Sequence, residues 1–237
     1  GYEAYAVGGC VRDTMLHRTP GDWDITTQAK PEQVKEIFAE KNIHTIDTGI
    51  QHGTVTVMVE HEGFEVTTYR IDGEYEDARH PKNVQFTASL LEDLKRRDFT
   101  INALAISLNQ ENYGTLVDPF GGLQDLENGI LKTPLDPIIT FSDDPLRMMR
   151  AVRFASQLNF TIEPVTFESI NANRDRLKIV SKERIMDEFN KIMASPKPSV
   201  GLKLLEQSGL LSVFFPELSA LKGVEHVDGI GHKDNFY

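Results

Sequence analysis

Cysteine is almost absent from this 237-residue chain: the single one, Cys10, excludes an internal disulfide and fits a reducing compartment. No apolar run is long enough to span a bilayer, and the first residues lack a basic patch followed by an apolar core. The expected location is therefore the cytoplasm, with no membrane contact. Basic charge is also scarce, with Lys+Arg 25 against Asp+Glu 36, a balance that by itself argues against a partner as anionic as RNA or DNA. Repeats and low-complexity tracts are missing too. What is present is an ordinary apolar content, at a length that can bury one sizeable core or two.

The chain divides into two regimes. Up to about Asp125 it mixes strand and helix: Thr54 to Val59 and Phe64 to Tyr69 are β-branched and alternating, and read as a hairpin closed through Glu60-His61-Glu62-Gly63. Pro31 to Lys41 carries helical spacing through Val34, Ile37 and Phe38. Beyond Pro137 the strand signal disappears, and Leu146 to Leu158, Lys182 to Met193 and Val200 to Leu211 repeat apolar residues at helical intervals. The stretch from Leu131 to Ser142, with Pro134 and Pro137, reads as the boundary.

Chemistry concentrates near the start, in Gly8-Gly9-Cys10-Val11-Arg12-Asp13 and, a short loop later, Gly21-Asp22-Trp23-Asp24-Ile25. In a strand, Asp22 and Asp24 project to one side while Trp23 and Ile25 face the core. Two converging carboxylates repel unless a cation sits between them, and Mg²⁺ prefers carboxylate oxygen. A half-exposed strand with a solvated acidic face would use the same pattern. The neighbouring glycines favour the metal site: Gly8 and Gly9 can bring bare backbone N–H groups to a phosphate, a helix from Val11 to His17 would point its positive end at the same anion, and Arg12 can clamp it.

This combination resembles the nucleotidyltransferase superfamily related to DNA polymerase beta, and in detail the class II tRNA nucleotidyltransferases and bacterial poly(A) polymerases. Further motifs carry the resemblance over nearly the whole chain. Arg96-Arg97-Asp98-Phe99-Thr100-Ile101-Asn102-Ala103 is similar to the family's second motif, Asp118-Pro119-Phe120-Gly121-Gly122 to its third, Asp143 to Phe154 to its fourth and Ser181 to Glu188 to its fifth. The implied architecture is α+β: a polymerase beta-like catalytic head over 1–136, a helical neck with a base-reading helix over 137–198, and the start of a helical body over 199–237. Family body and tail regions extend well past this length, so the expectation is a truncated chain that binds nucleoside triphosphate well and tRNA poorly.

Ser142-Asp143-Asp144-Pro145 reads as the start of a helix, with a capping hydroxyl, acids in the first turn and an early proline. Asp144 and Arg147, three apart, would then present an acceptor and a donor side by side. Cytosine and adenine both show an amino donor next to a ring acceptor, whereas guanine and uracil reverse the pattern, so this pair would admit C and A. An internal Asp–Arg ion pair on a surface helix is the other reading of the same spacing. The resemblance implies the template role, with Arg150 and Arg153 also contacting nucleotide.

The resemblance further implies that Asp22 and Asp24 hold catalytic Mg²⁺, that Gly8, Gly9, Arg12 and Arg97 bind the nucleotide, and that the reaction adds C and A from CTP and ATP to the tRNA 3′ end. Glu65 stands where the wider superfamily often has a third acid. Asp98 either orients Arg97 or approaches a ribose hydroxyl, and Asp118 with the glycines after it shapes a turn or hinge rather than touching substrate. Ile71 to Pro81 resembles the flexible loop of full CCA-adding members, although His80 replaces an expected arginine and Asp143 an expected glutamate. Gly229 to Tyr237 resembles the beginning of an HD-type region. An A-adding enzyme, a poly(A) polymerase, a small-molecule nucleotidyltransferase and a non-catalytic nucleotide- and RNA-binding module are the alternatives. Arg147, Arg150, Arg153, Arg174, Arg176 and Lys178 could supply a local basic lining despite the acidic total.

Overall fold

The computed structural model describes residues 1–72 and 84–222. The expected loop between Ile71 and Pro81 lies outside them from residue 73 onward, as does Gly229 to Tyr237. The described residues form two compact units, one of 1–72, 84–128 and 132–135, the other of 129–131 and 136–222.

The first unit is built on a seven-stranded sheet. Strands β1 (Ala4–Val7), β2 (Asp24–Thr27), β3 (Thr45–Gly49), β4 (Thr54–Val59) and β5 (Glu62–Thr68) enter it, and a separate pair, β6 (Arg70–Asp72) and β7 (Val84–Phe86), stands apart. Strands β8 (Ala105–Ser107) and β9 (Leu116–Val117) complete the order β3-β4-β5-β2-β1-β8-β9. Every neighbouring pair is antiparallel except β2 and β5, which run parallel with Asp24 opposite Glu65. Helices α1 (Gly9–Met15), α2 (Pro31–Ala39), α3 (Leu90–Lys95) and α4 (Gly122–Asn128) flank the sheet.

Alternation along β1 shows why these residues make this layer. Tyr5 and Val7 join a buried cluster with Leu94 of α3, whereas Ala6 packs with Cys10 and Val11 of α1. A period of two thus serves two cores at once, and each large aliphatic side chain so buried contributes about 1.5–3 kcal/mol. Val34 of α2 covers Val55, Val57 and Val66 of the hairpin.

The hairpin closes differently from its sequence reading. Val59 pairs with Glu62, so the turn is Glu60-His61, both at positive φ (48° and 72°), and Gly63 lies inside β5. A two-residue turn with both central residues left-handed matches the twist of the strands it joins. The structure also corrects the strand expected from Asp22 to Ile25: β2 begins at Asp24, so Asp22 lies outside the strand alternation, and Trp23, just before β2, is 41 % exposed rather than in the core.

The second unit pairs two short strands, β10 (Ile130–Leu131) and β11 (Thr161–Ile162), in parallel, so strand does not vanish after Pro137. The rest is helical: α5 (Pro137–Asp143), α6 (Leu146–Leu158), α7 (Pro164–Asn173), α8 (Lys182–Met193), α9 (Pro198–Gln207), α10 (Leu210–Phe214) and α11 (Pro216–Ser219). Met148, Met149, Ala151, Val152 and Ala155 make α6 the buried axis of this unit, and α8 and α9 pack against it. The helix expected from Val200 to Leu211 is two helices, because Gly209 takes φ +75° between α9 and α10 and a left-handed glycine ends a helix.

Ser142 is not a cap, contrary to the sequence reading. Ser142 and Asp143 finish α5, Asp144 is extended (φ −136°, ψ 100°), and α6 opens after Pro145. Proline disfavours helical backbone in the residue before it, which breaks the helix at Asp144.

Candidate active site

In the first unit, β1 runs into α1 through Gly8, whose φ of +80° is open to glycine at little cost. A Cβ on Gly8 would sit 3.1 Å from Arg97 Nη1 and 3.9 Å from Asp24 Oδ2. The structure thus brings Gly8, Asp24 and Arg97 together, three residues the sequence spreads over ninety positions. Gly9 follows as the first residue of α1, and a Cβ there would stand 3.7 Å from Arg12 Nη2.

Arg12 is held from two sides. Its Nε donates to Asp13 Oδ1 at 2.8 Å and its Nη1 to Asn102 Oδ1 at 2.8 Å. Asn102 Nδ2 in turn donates to Asp98 Oδ1 at 3.0 Å, and the Phe99 N–H donates to the same oxygen at 2.8 Å. Asp98, left between two roles by the sequence, therefore orients Arg12 through Asn102. Asn102 was overlooked as a functional residue, although it lies inside the second motif.

Asp24 opens β2, exposed Asp22 precedes it, and Glu65 lies across the parallel pairing. Burial pushes the Asp24 carboxyl above the usual range, Arg97 opposes that shift, and Asp22 adds to it. Glu65 is raised likewise, first by desolvation and then by the charges of Asp24 and Asp22. Three mutually repelling carboxylates are therefore felt at one place. Among the described residues no three His, Cys, Asp or Glu enclose a metal ion by themselves. An open pair of carboxylates suits Mg²⁺, which keeps several waters and is usually bound through one or two carboxylates plus phosphate oxygens.

Arg97 reaches this place from α3's C-terminal end. Its Nη2 donates to Asp93 Oδ2 at 3.2 Å, leaving Nη1 facing Gly8, and its Nε is buried without a hydrogen-bond partner among the described residues. Asp93 was missed by sequence reasoning, though its spacing of three and four from Arg96 and Arg97 is that of helical ion pairs. Asp118 shapes a turn as expected, accepting from the N–H groups of Gly122 (2.7 Å) and Leu123 (2.9 Å) at the start of α4.

In the second unit, Asp144 bridges elements. Its Oδ1 accepts from the Leu146 N–H at 3.1 Å, capping α6, and its Oδ2 pairs with Arg184 Nη2 at 3.1 Å. Arg147 sits in the first turn of α6, its N–H bonded to the Asp144 carbonyl at 3.0 Å. Arg150 lies 5.4 Å from the Phe154 ring centroid. Arg153 pairs with Glu188 at 2.6 Å, and Glu188 is 4 % exposed. Arg184 and Glu188, one turn apart on α8, thus brace the fourth motif from the fifth, a role that pattern reading did not assign. Of the other bases, Arg174 bonds Asn171, Arg176 donates to the Ser142 carbonyl at 2.8 Å, and Lys178 pairs with Asp175 at 2.6 Å. No described helix is long and apolar enough to cross a membrane.

A mixed sheet with flanking helices, with Asp22 just before β2 and Asp24 at its start beside a glycine-containing strand-to-helix turn, followed by a helical region, defines a polymerase-type nucleotidyltransferase head. Residues 4–132 match the model of the poly A polymerase head domain, and 159–222 that of a probable RNA- and SrmB-binding site of polymerase A. The chain belongs to the poly A polymerase head-domain family. It is 53% identical over 196 residues to the CCA-adding enzyme of Lactobacillus helveticus, covering 83% of this chain and 47% of that one. With the CCA-adding enzyme of Geobacillus thermodenitrificans it shares 48% over 219 residues, covering 92% and 52%. The crystal structure of the Bacillus stearothermophilus CCA-adding enzyme in complex with CTP superposes with a TM-score of 0.83 at 42% identity, covering 93% of this chain and 52% of that one. A tRNA nucleotidyltransferase complexed with a primer tRNA and an incoming ATP analogue gives 0.75 at 31%, covering 93% and 63%. The chain spans about half the length of the curated relatives it matches.

Proposed function

We propose that this chain carries the catalytic machinery of a template-independent nucleotidyltransferase that adds C and A from CTP and ATP to the 3′ end of tRNA in the cytoplasm. The observation that carries the reading is the convergence of Asp24, Arg97 and left-handed Gly8, with the charge of Asp22 acting on Asp24 and both acids acting on Glu65. The likeness to enzymes named as CCA-adding supports the choice of reaction.

Gly8, Gly9, Arg12 and Arg97 bind the triphosphate oxygens, with Asn102 and Asp98 keeping Arg12 in place. Asp22 and Asp24 hold Mg²⁺, which when bound supplies positive charge to the transferred phosphoryl group and makes the attacking hydroxyl more acidic. The RNA 3′ oxygen attacks the α-phosphorus in line and pyrophosphate departs, with no covalent enzyme intermediate. Asp144 accepts from the amino group shared by cytosine and adenine, and Arg147 donates to the adjacent ring nitrogen, while Arg150 and Arg153 extend the nucleotide contact. Arg184 fixes the Asp144 carboxylate, so the acceptor is already oriented when the base arrives.

The test offers the protein Mg²⁺, labelled CTP or ATP or both, and tRNAs ending before the first C, after C and after CC. Addition of C, C and A followed by arrest supports the proposal. Addition of A alone makes it an A-adding enzyme, and a long run of A a poly(A) polymerase. Triphosphate binding without transfer to any RNA makes it a binding module or an enzyme of small molecules. Arg147→Ala should lose selectivity against UTP and GTP by roughly tenfold to a hundredfold, since an unpaired buried polar group costs about 1–3 kcal/mol. Competition between triphosphates in single additions measures it.

A further inference from the structure

The buried carboxylate of Asp93 lies outside the machinery assigned above. We propose that Asp93 is a positioning residue that holds Arg97 in its nucleotide-binding orientation, one guanidinium nitrogen anchored on the buried carboxylate and the other presented beside Gly8 and Asp24. This rests on the nucleotide-binding reading of the preceding subsection.

Asp93 is fully buried, and a buried carboxylate costs several kcal/mol unless donors surround it. Each of its oxygens has two. Oδ1 accepts from the Arg70 N–H at 3.2 Å and Arg96 Nε at 3.0 Å; Oδ2 accepts from Thr26 Oγ1 at 3.2 Å and Arg97 Nη2 at 3.2 Å. Burial opposes ionisation, but the charges of Arg96 and Arg97 and the bonds from Arg70 and Arg97 outweigh it and hold the carboxyl below its usual range. Thr26 lies two residues beyond Asp24 on β2, so both side chains leave the same face of one strand. The strand that carries the acid thereby also fixes the carboxylate that aims the arginine.

A staple between α3 and the sheet would need no arginine that reaches further. Arg97 does reach further: Nη1 lies 3.1 Å from where a Gly8 Cβ would be, and the guanidinium charge acts on Asp24. The rigid fork of arginine can serve both ends at once, which the single nitrogen of lysine cannot.

The experiment titrates ATP and CTP, each with Mg²⁺ and without RNA, into the protein and into Asp93→Asn, Arg97→Ala, the double variant and Arg97→Lys, with thermal melts as the check on folding. Asp93→Asn and Arg97→Ala should each weaken binding at least about tenfold, the double variant should be no weaker than Arg97→Ala, and Arg97→Lys should lose nearly as much as Arg97→Ala. Wild-type affinity in Asp93→Asn, or losses that multiply in the double variant, would overturn the proposal. Should Asp93→Asn fail to fold, Arg97→Lys decides: unchanged affinity overturns the tether and a loss close to that of Arg97→Ala supports it. If the unsubstituted protein binds neither triphosphate, the nucleotide reading itself falls and the tether with it, an outcome distinct from binding that ignores Asp93.

Discussion

On the proposed reading, Asp24→Ala should abolish nucleotide transfer, by a factor of about a thousand or more, in a protein that still folds: this is the largest effect expected of any single substitution on activity. Removing a charge that stabilises the transferred phosphoryl group costs roughly 4 kcal/mol or more of barrier. The fold should survive because the Asp24 side chain lies at the edge of β2 and its environment already resists ionisation. A carboxyl raised in the folded state makes the native protein bind more protons than the unfolded chain. The contribution of Asp24 to the stability of the cation-free protein therefore falls as pH rises from the ordinary carboxyl range through the raised value, and the deficit persists above it, while Asp93, whose carboxyl is lowered, contributes in the opposite direction. Asp24→Ala should flatten that slope, and added Mg²⁺ should reverse it in the unsubstituted protein alone. Single-turnover addition and melts from pH 4 to pH 8 read both outcomes; retained turnover in Asp24→Ala would sink the carboxylate assignment. Glu65→Gln should lose less, about tenfold to a hundredfold, because Asp22 and Asp24 remain.

Gly122→Ala should produce the largest loss of stability, about 3 kcal/mol, for a steric reason. A Cβ there would overlap the Thr100 carbonyl oxygen, lie 2.8 Å from the carbonyl carbon and 3.1 Å from Leu104 Cδ2. Neither side can retreat easily. The Gly122 N–H is tied to Asp118, the Thr100 N–H donates to the Lys132 carbonyl at 2.8 Å, and Leu104 is fully buried. Overpacking of this kind costs about 1–3 kcal/mol, occasionally more, which for a chain of this size lowers the melting temperature by about 2–4 °C per kcal/mol. Activity should fall as well, since Thr100 begins the short 3-10 turn that ends at Asn102, the residue holding Arg12. A melting temperature within about 2 °C of the parent would show that the Thr100 backbone yields where the packing says it cannot.

Much of the fold and part of the site were legible in residue order. The β-branched runs on either side of Glu60 and the helical spacing of α6 and α8 follow from local pattern, because side-chain period and residue type act over a few positions; Asp22, by contrast, lies before β2 and shares no strand alternation with Asp24. Asp93 escaped notice because a buried carboxylate looks, in sequence, like any solvated acid on a short helix. Ser142 was misread because a hydroxyl followed by acids and proline fits a helix start, while Pro145 in fact ends one helix and separates it from the next. Trp23 was placed in the core by extending strand alternation one residue before β2 begins.

The sequence alone determined which chemistry the chain can offer: two acids two positions apart, glycines close by, and arginines enough to bind phosphate. Only the tertiary structure decided which arginine meets which acid. Asp93 aims Arg97 at Gly8, Asp98 steers Arg12 through Asn102, and Arg184 occupies one oxygen of Asp144. Asp93 and Arg97 are only four apart, but the Arg12–Asn102 and Asp144–Arg184 pairings join residues ninety and forty positions apart, and a charge buried in the fold must find such a partner in space, where neither periodicity nor local propensity reaches.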